Sequence, residues 1–242
     1  MPRHLSVSGM VTVLGQVRDR LTGAVIATFL AASISLWGFL SIAGEMREGE
    51  TRAFDERLML LLRQPDDPNE PLGPRWLEEA MRDVTALGGF TVLTLLTIVA
   101  VVTLMRAGRL RQAFGMATVA LGAELTSDLL KLAYARPRPD LVPHGSYVYS
   151  NSFPSGHSTM SVAVYFTLAT LLAAGASRPS SRRMIYTVAG FLVLLIGVSR
   201  VYLGVHWPTD VAAGWALGSV WALIGWRWLG APATAGAGPK RS

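Results

Sequence analysis

The sequence predicts an all-α, polytopic membrane protein folded as a six-transmembrane-helix bundle. Three observations predict it. Hydrophobic residues make up 51% of the 242 residues and charged residues only 16%, where a soluble domain carries about 25% charge. Six stretches approach the roughly 20 apolar residues that cross a hydrocarbon core. The basic residues collect in alternate connections between those stretches, as they do in loops that stay on the cytoplasmic side.

The six segments are Gly23 to Gly44, Ala86 to Met105, Gln112 to Tyr134, His157 to Ala174, Met184 to Tyr202 and Thr209 to Trp228. The first is longer than the apolar core of a signal peptide and no small-residue cleavage site follows it, so it reads as an uncleaved span. The third is the least apolar because it contains Glu124, Asp128 and Lys131. An acid inside a membrane is costly and normally faces the bundle interior or a partner. The i, i+4, i+7 spacing puts these three side chains on one helix face. Asp128 is expected to position Lys131, and Glu124 to hydrogen-bond a neighbouring helix. Five tryptophans crowd the last segment. Trp207, Trp226 and Trp228, near its ends, fit an interfacial belt, and Trp215 and Trp221 fit packing or lipid contacts.

Charge gives the direction of the spans. The two termini, the second-to-third connection and the fourth-to-fifth connection hold 12 basic residues and one acid, Asp19. The positive-inside rule makes these cytoplasmic, which requires an even number of spans in a cell's inner (plasma) membrane. The net charge of +6 is therefore read as topology, and no nucleic-acid partner is expected. The first connection, Glu45 to Thr85, has six Arg and eleven acids and contains the turn-rich stretch Pro65 to Pro74. Two short helices are expected there, Phe54 to Arg63 and Arg75 to Val84, lying on the surface or packed on the bundle. Residues 1–229 read as one domain, and 230–242 as a disordered cytoplasmic tail. With no cysteine, thiolate chemistry is excluded.

Three polar clusters then fall on the same, outer membrane face. The first is Lys131 to Pro139, KLAYARPRP, at the end of the third span. The second is Phe153 to Ser158, FPSGHS, at the start of the fourth. The third is Ser199 to Asp210, SRVYLGVHWPTD, between the fifth and sixth. Lys131, Arg138 and Arg200 together make a cationic site suited to phosphate oxygens. Ser155 and Gly156 open a helix, where free N–H groups and the helix dipole favour an anion. His206 and Asp210 are four apart, so a carboxylate can orient the imidazole, although Trp207-Pro208 interrupts helical geometry between them. The other ring nitrogen is then a nucleophile, and His157 is a candidate proton donor. A metal site would have to draw on Asp140, His144, His157, His206 and Asp210. Three neighbouring cations oppose it, and neither metal nor cofactor is expected. His144 is read as a surface or rim residue.

The clusters resemble the signature of the type 2 phosphatidic acid phosphatase superfamily, whose pattern is Lys-x6-Arg-Pro, Pro-Ser-Gly-His and Ser-Arg-x5-His-x3-Asp. Here it reads Lys131 to Arg138-Pro139, Pro154 to His157, and Ser199-Arg200 through His206 to Asp210, with every specified position filled and the active-site core spanning 131–210. The resemblance implies a membrane enzyme that removes phosphate from a lipid without a metal. It implies that His206 forms a phosphohistidine, Asp210 orients it and His157 protonates the leaving group. Lys131, Arg138, Arg200, Ser155 and Gly156 would hold the phosphate. The family also contains soluble vanadium haloperoxidases, from which six apolar segments set this chain apart. The implied substrate is a lipid phosphate or diphosphate, with undecaprenyl diphosphate first. Phosphatidic acid, phosphatidylglycerophosphate and lipid A 1-phosphate are alternatives, as are phosphotransfer to an acceptor lipid and a non-enzymatic carrier.

Overall fold

The structure, a computed structural model, describes residues 7–146 and 150–229, with side chains from Thr22 onward. The tail expected to be disordered lies outside the described residues. Eight helices follow one another: α1 (Val7–Glu48), α2 (Arg52–Leu60), α3 (Arg75–Leu87), α4 (Phe90–Arg106), α5 (Leu110–Tyr134), α6 (Gly156–Gly175), α7 (Pro179–Tyr202) and α8 (Pro208–Leu229). No strand is found among the described residues.

The long helices fall where the apolar segments predict. Several boundaries differ, with α1 running from Val7 to Glu48 and α7 beginning at Pro179. The second segment was expected to begin at Ala86, but Gly88-Gly89 breaks the chain there, and α3 and α4 meet at a bend of 41°. The Tyr165 hydroxyl of α6 donates to the Leu87 carbonyl at 2.8 Å, which fixes the end of α3.

By length and composition, three helices can cross a membrane: Thr22–Glu48 of α1, α6 and α7. The bent α3–α4 pair adds a fourth if taken as one span. α5 and α8 have 25 and 22 residues, but their polar groups lower their mean hydropathy. Much of that polarity is turned inward: Ser127, Thr209 and Asp210 are buried. The exteriors are apolar, with Phe29, Trp37, Leu121, Leu132 and Phe191 all at least 60% exposed. Such surface is unfavourable in water and natural in lipid.

α6 is the centre of the bundle, packed against α5, α7 and α8. Small residues let α8 approach it closely. A Cβ on Gly214 would lie 2.7 Å from the Ser155 carbonyl oxygen, and Gly218 faces the Thr159 carbonyl in the same way. Two small residues four apart are a common means of backbone approach between membrane helices. The consequence is local: the first turns of α6 and α8 are held side by side, and the Ser155 N–H donates to the Asp210 carbonyl at 3.0 Å.

The two short helices form as expected, with shifted ends. α2 packs on α8 and buries Asp55 and Met59; α3 packs on α7. Trp207 departs from the belt reading. It is fully buried, donates through Nε1 to the Pro137 carbonyl at 3.1 Å, and lies under the guanidinium groups of Arg52 and Arg136 at 4.8 and 5.5 Å. It anchors the loop that carries His206. Trp221 packs between α5 and α8, with Nε1 donating to Thr126 Oγ1 at 3.0 Å.

Candidate active site

Four element ends meet at one end of the bundle. α5 delivers Lys131 and then stops at Ala135, whose φ of 46° turns the chain so that Arg136 and Arg138 reach across the bundle end. α6 begins there with Gly156 and His157, α7 ends with Arg200, and the loop before α8 carries His206. Lys131, Arg138, Gly156, His157, Arg200 and His206 line one cavity of about 380 Å³. A larger cavity of about 520 Å³ between α1, α6, α7 and α8 has no carboxylate, imidazole or basic side chain on its walls, so it offers no comparable chemistry.

His206 is 2% exposed. Its Nε2 lies 3.2 Å from Arg138 Nη1, and its Nδ1 lies 3.4 Å from both Ser152 Oγ and Asp210 Oδ2. Arginine can only donate, so Nε2 carries the lone pair and Nδ1 the hydrogen, directed toward Asp210. Burial first, then Arg200, Arg138 and Lys131, push the His206 imidazole well below its ordinary pKa. The ring is therefore neutral, and the lone pair on Nε2, at the cavity, accepts from Arg138. Burial also lowers Arg138, against the opposing pull of Asp210. Arg138 is held by the carbonyls of Ser150 at 2.8 Å and Val205 at 2.6 Å.

Arg200 is 3% exposed. It donates through Nη1 to Thr85 Oγ1 at 2.9 Å, while its buried Nε has no partner among the described residues. A buried donor without a partner, on a cation facing a cavity, suits an incoming anion. Lys131 Nζ lies 3.2 Å from Asp128 Oδ1. A Cβ at Gly156 would fall 2.8 Å from Lys131 Nζ, so glycine is what lets the ammonium rest against the start of α6.

Three expected residues stand off the cavity wall. Ser155 is the N-cap of α6, its oxygen accepting from the Ser158 N–H at 3.4 Å and from the Ser158 hydroxyl at 3.1 Å. That hydroxyl is committed to the helix start and does not line the cavity. Asp210 sits behind His206, and Asp128 behind Lys131. Glu124 differs from its expected structural role. No hydrogen bond from it to a neighbouring helix is found among the described residues, and it lines the cavity instead. His144 is turned to the Pro139 carbonyl at 2.8 Å. Among the described residues, no group of three His, Asp or Glu is placed to hold a metal ion.

Sequence reasoning missed several contributors. Arg136 and Asp55 form an ion pair behind Asp210. Ser152 donates to Asp210 Oδ2. Gly88 is the third omission: a Cβ there would collide with Ile196 and come within 3.5 Å of the His157 ring. The Gly-Gly pair was a visible signal, but only the fold shows that it faces an imidazole. Gly88→Val is expected to lower kcat/KM by about 10- to 100-fold by displacing His157, at a cost of about 1–3 kcal/mol in stability from overpacking. Steady-state kinetics and thermal unfolding of the purified variant check both.

The cavity continues along the helices. Phe90, Leu93, Thr94, Glu124 and Met160 also wall an apolar groove of about 330 Å³ between α4 and α5, which runs on past Ile98 to Val102. Twelve residues of helix span about 18 Å, a length suited to a lipid chain.

Comparison with known proteins agrees with this arrangement. Residues 112–232 match the family model described as PAP2 superfamily. The chain is 34% identical over 186 residues to phosphatidylglycerophosphatase B of Bacillus subtilis, covering 74% of this chain and 85% of that one. A 68-residue stretch is 41% identical to undecaprenyl-diphosphatase of Sulfolobus acidocaldarius, covering 28% and 29%. The crystal structure of a transmembrane PAP2-type phosphatidylglycerolphosphate phosphatase from Bacillus subtilis superposes with a TM-score of 0.70 at 31% identity, covering 80% of this chain and 93% of that one. With the cationic cavity, the paired histidines and these matches in place, the chain belongs to the PAP2 superfamily of phosphatases.

Proposed function

We propose that this membrane lipid phosphatase works through a phosphohistidine on His206. The observation that carries the reading is the continuity of two surfaces: a cationic cavity holding a neutral, oriented imidazole opens onto an apolar groove between α4 and α5. The phosphate sits among Lys131, Arg138 and Arg200, its lipid chain in the groove. His206 Nε2 attacks phosphorus as the bond to the leaving oxygen breaks. His157 gives its proton to that oxygen, and the bound phosphate supplies the negative charge that a protonated imidazole needs among three cations. Water, deprotonated by His157, then attacks the phosphohistidine and releases inorganic phosphate. The protein groups mainly position the reactants and stabilise charge on the transferring group, as in other phosphoryl transfers.

Six spans, with both termini cytoplasmic and the cavity on the outer face, remain the topology we put forward. It is supported by the 12 basic residues on one side and by the lengths of α5 and α8.

For the substrate we propose phosphatidylglycerophosphate, ahead of the undecaprenyl diphosphate expected from sequence. The likeness to the phosphatidylglycerophosphatase covers 74% of the chain and includes α4 and the groove, whereas the likeness to the undecaprenyl-diphosphatase covers 28%. That second likeness keeps undecaprenyl diphosphate as the alternative. The test is phosphate release by purified protein in EDTA from phosphatidylglycerophosphate, undecaprenyl diphosphate, phosphatidic acid and lipid A. The highest kcat/KM is expected on phosphatidylglycerophosphate. A higher value on another lipid overturns the substrate assignment, and no release from any overturns the phosphatase reading. Activity that needs a divalent ion overturns the metal-free mechanism.

A further inference from the structure

We infer that Arg136 and Asp55 are positioning residues for the reaction: a carboxylate on the surface helix α2 holds Asp210, and through it His206, by way of a buried guanidinium. The inference rests on the phosphohistidine reading above.

The geometry is a chain of charge-assisted hydrogen bonds. Arg136 Nη1 donates to Asp210 Oδ1 at 2.6 Å, and Nη2 donates to Asp55 Oδ2 at 2.7 Å. Both carboxylates are fully buried, and Arg136 is 9% exposed. The other Asp210 oxygen is occupied by the Ser152 hydroxyl, the Trp207 N–H at 2.9 Å and the His206 ring. Asp210 therefore has one oxygen for the imidazole side and one for Arg136, and neither can rotate without losing a partner.

Asp55 acts on the same residue from a second direction. Its Oδ1 accepts from the Thr209 N–H at 2.9 Å and its Oδ2 from the Thr209 hydroxyl at 2.7 Å. Thr209 in turn accepts from Arg136 Nη1 at 2.9 Å. Asp55 thus satisfies an orphan donor in the first turn of α8, the turn that carries Asp210. α2 lies 154 residues away in sequence from the group it fixes.

None of this touches phosphate. Arg136 and Asp55 do not line the cavity, whose cations are Lys131, Arg138 and Arg200. Seating α2 on the bundle does not require ions either, because Met59, Val142 and Trp207 already form an apolar contact there. Burying three charged groups costs desolvation that a contact used only for packing could avoid. What the ions add is direction: a fixed carboxylate holds the His206 hydrogen on Nδ1 and keeps the nucleophilic lone pair on Nε2, which attacks once Arg138 turns from it to the phosphate.

The test uses the full-length enzyme in detergent micelles with phosphatidylglycerophosphate, reading kcat, KM and inhibition by inorganic phosphate. Arg136→Gln is expected to lower kcat about 100-fold and Asp55→Asn about tenfold, with KM and phosphate inhibition changed less than about threefold. Arg136→Lys is expected to recover part of the loss. The deciding arm is the Asp210→Asn background. There each further substitution should cost less than about twofold, because groups that act through one residue are not additive. Losses that multiply in full in that background, or folded variants with unchanged kcat, overturn the inference. If Arg136→Gln does not fold, Asp55→Asn and Arg136→Lys, which keep the shape of the site, decide it by the same criteria. A parent enzyme that releases no phosphate, or a His206→Ala variant as active as the parent, counts against the phosphohistidine reading itself.

Discussion

His206→Ala is expected to lower hydrolysis of lipid phosphate by about 10⁴-fold or more, the scale seen when a covalent nucleophile is removed. The loss should fall on kcat. Lys131, Arg138 and Arg200 stay in place, so inorganic phosphate should still inhibit binding of a phosphorylated substrate analogue. Rapid acid-free quenching of the parent with labelled substrate should trap phosphate on the protein in an acid-labile, base-stable form, and the variant should trap none. The same experiment separates the rivals. A carrier would keep its function without His206. A phosphotransferase would pass the label to an added acceptor lipid, whereas a hydrolase releases it as inorganic phosphate. A variant that hydrolyses as fast as the parent sinks the proposed nucleophile.

The long helices were legible because lipid imposes a simple rule: an exterior with no water must be apolar for about 20 residues. α6 and α7 follow it within a few residues. α5 and α8 follow it less well, because inward-facing polar groups such as Ser127, Thr209 and Asp210 dilute the signal without meeting lipid. The cavity cations and histidines were legible because their types and spacing are those that a phosphate site, as proposed here, would demand. Ser155 has two uses open to a serine before a helix, capping it or donating to a ligand, and the structure shows the cap. Arg136 and Asp55 were invisible for a different reason. An arginine in an ARPRP run and an aspartate in an amphipathic helix look like surface charges until the fold buries both. A pair joined across 81 positions leaves no local pattern. Glu124 was read correctly as an inward-facing acid, but only the packing shows that it faces a cavity.

Arg200 should give the second large effect, and with it a test of what the fold gives up for the site. Arg200 is buried, donates to Thr85, and has no partner for its Nε among the described residues. A guanidinium in such a place is poorly compensated until an anion arrives. In the proposed mechanism it meets the charge on the transferring phosphoryl group in the transition state, where an arginine is worth about 10³- to 10⁵-fold in kcat. Arg200→Met is therefore expected to lower kcat/KM by about 10³-fold or more, and yet to unfold at a temperature equal to or above that of the parent, because it removes a desolvated cation. Charge also predicts the pH dependence. Attack needs a neutral His206, and Arg200 is among the cations that hold its pKa down. Removing Arg200 lets that pKa rise, so protonation sets in sooner as pH falls. The acid limb of the residual kcat/KM should consequently lie at higher pH in Arg200→Met than in the parent. Thermal unfolding and a pH–rate profile on one preparation test both halves. A folded variant with near-parental activity would remove Arg200 from the phosphate site. An acid limb that stays in place, or moves to lower pH, would show that Arg200 does not set the charge state of the nucleophile.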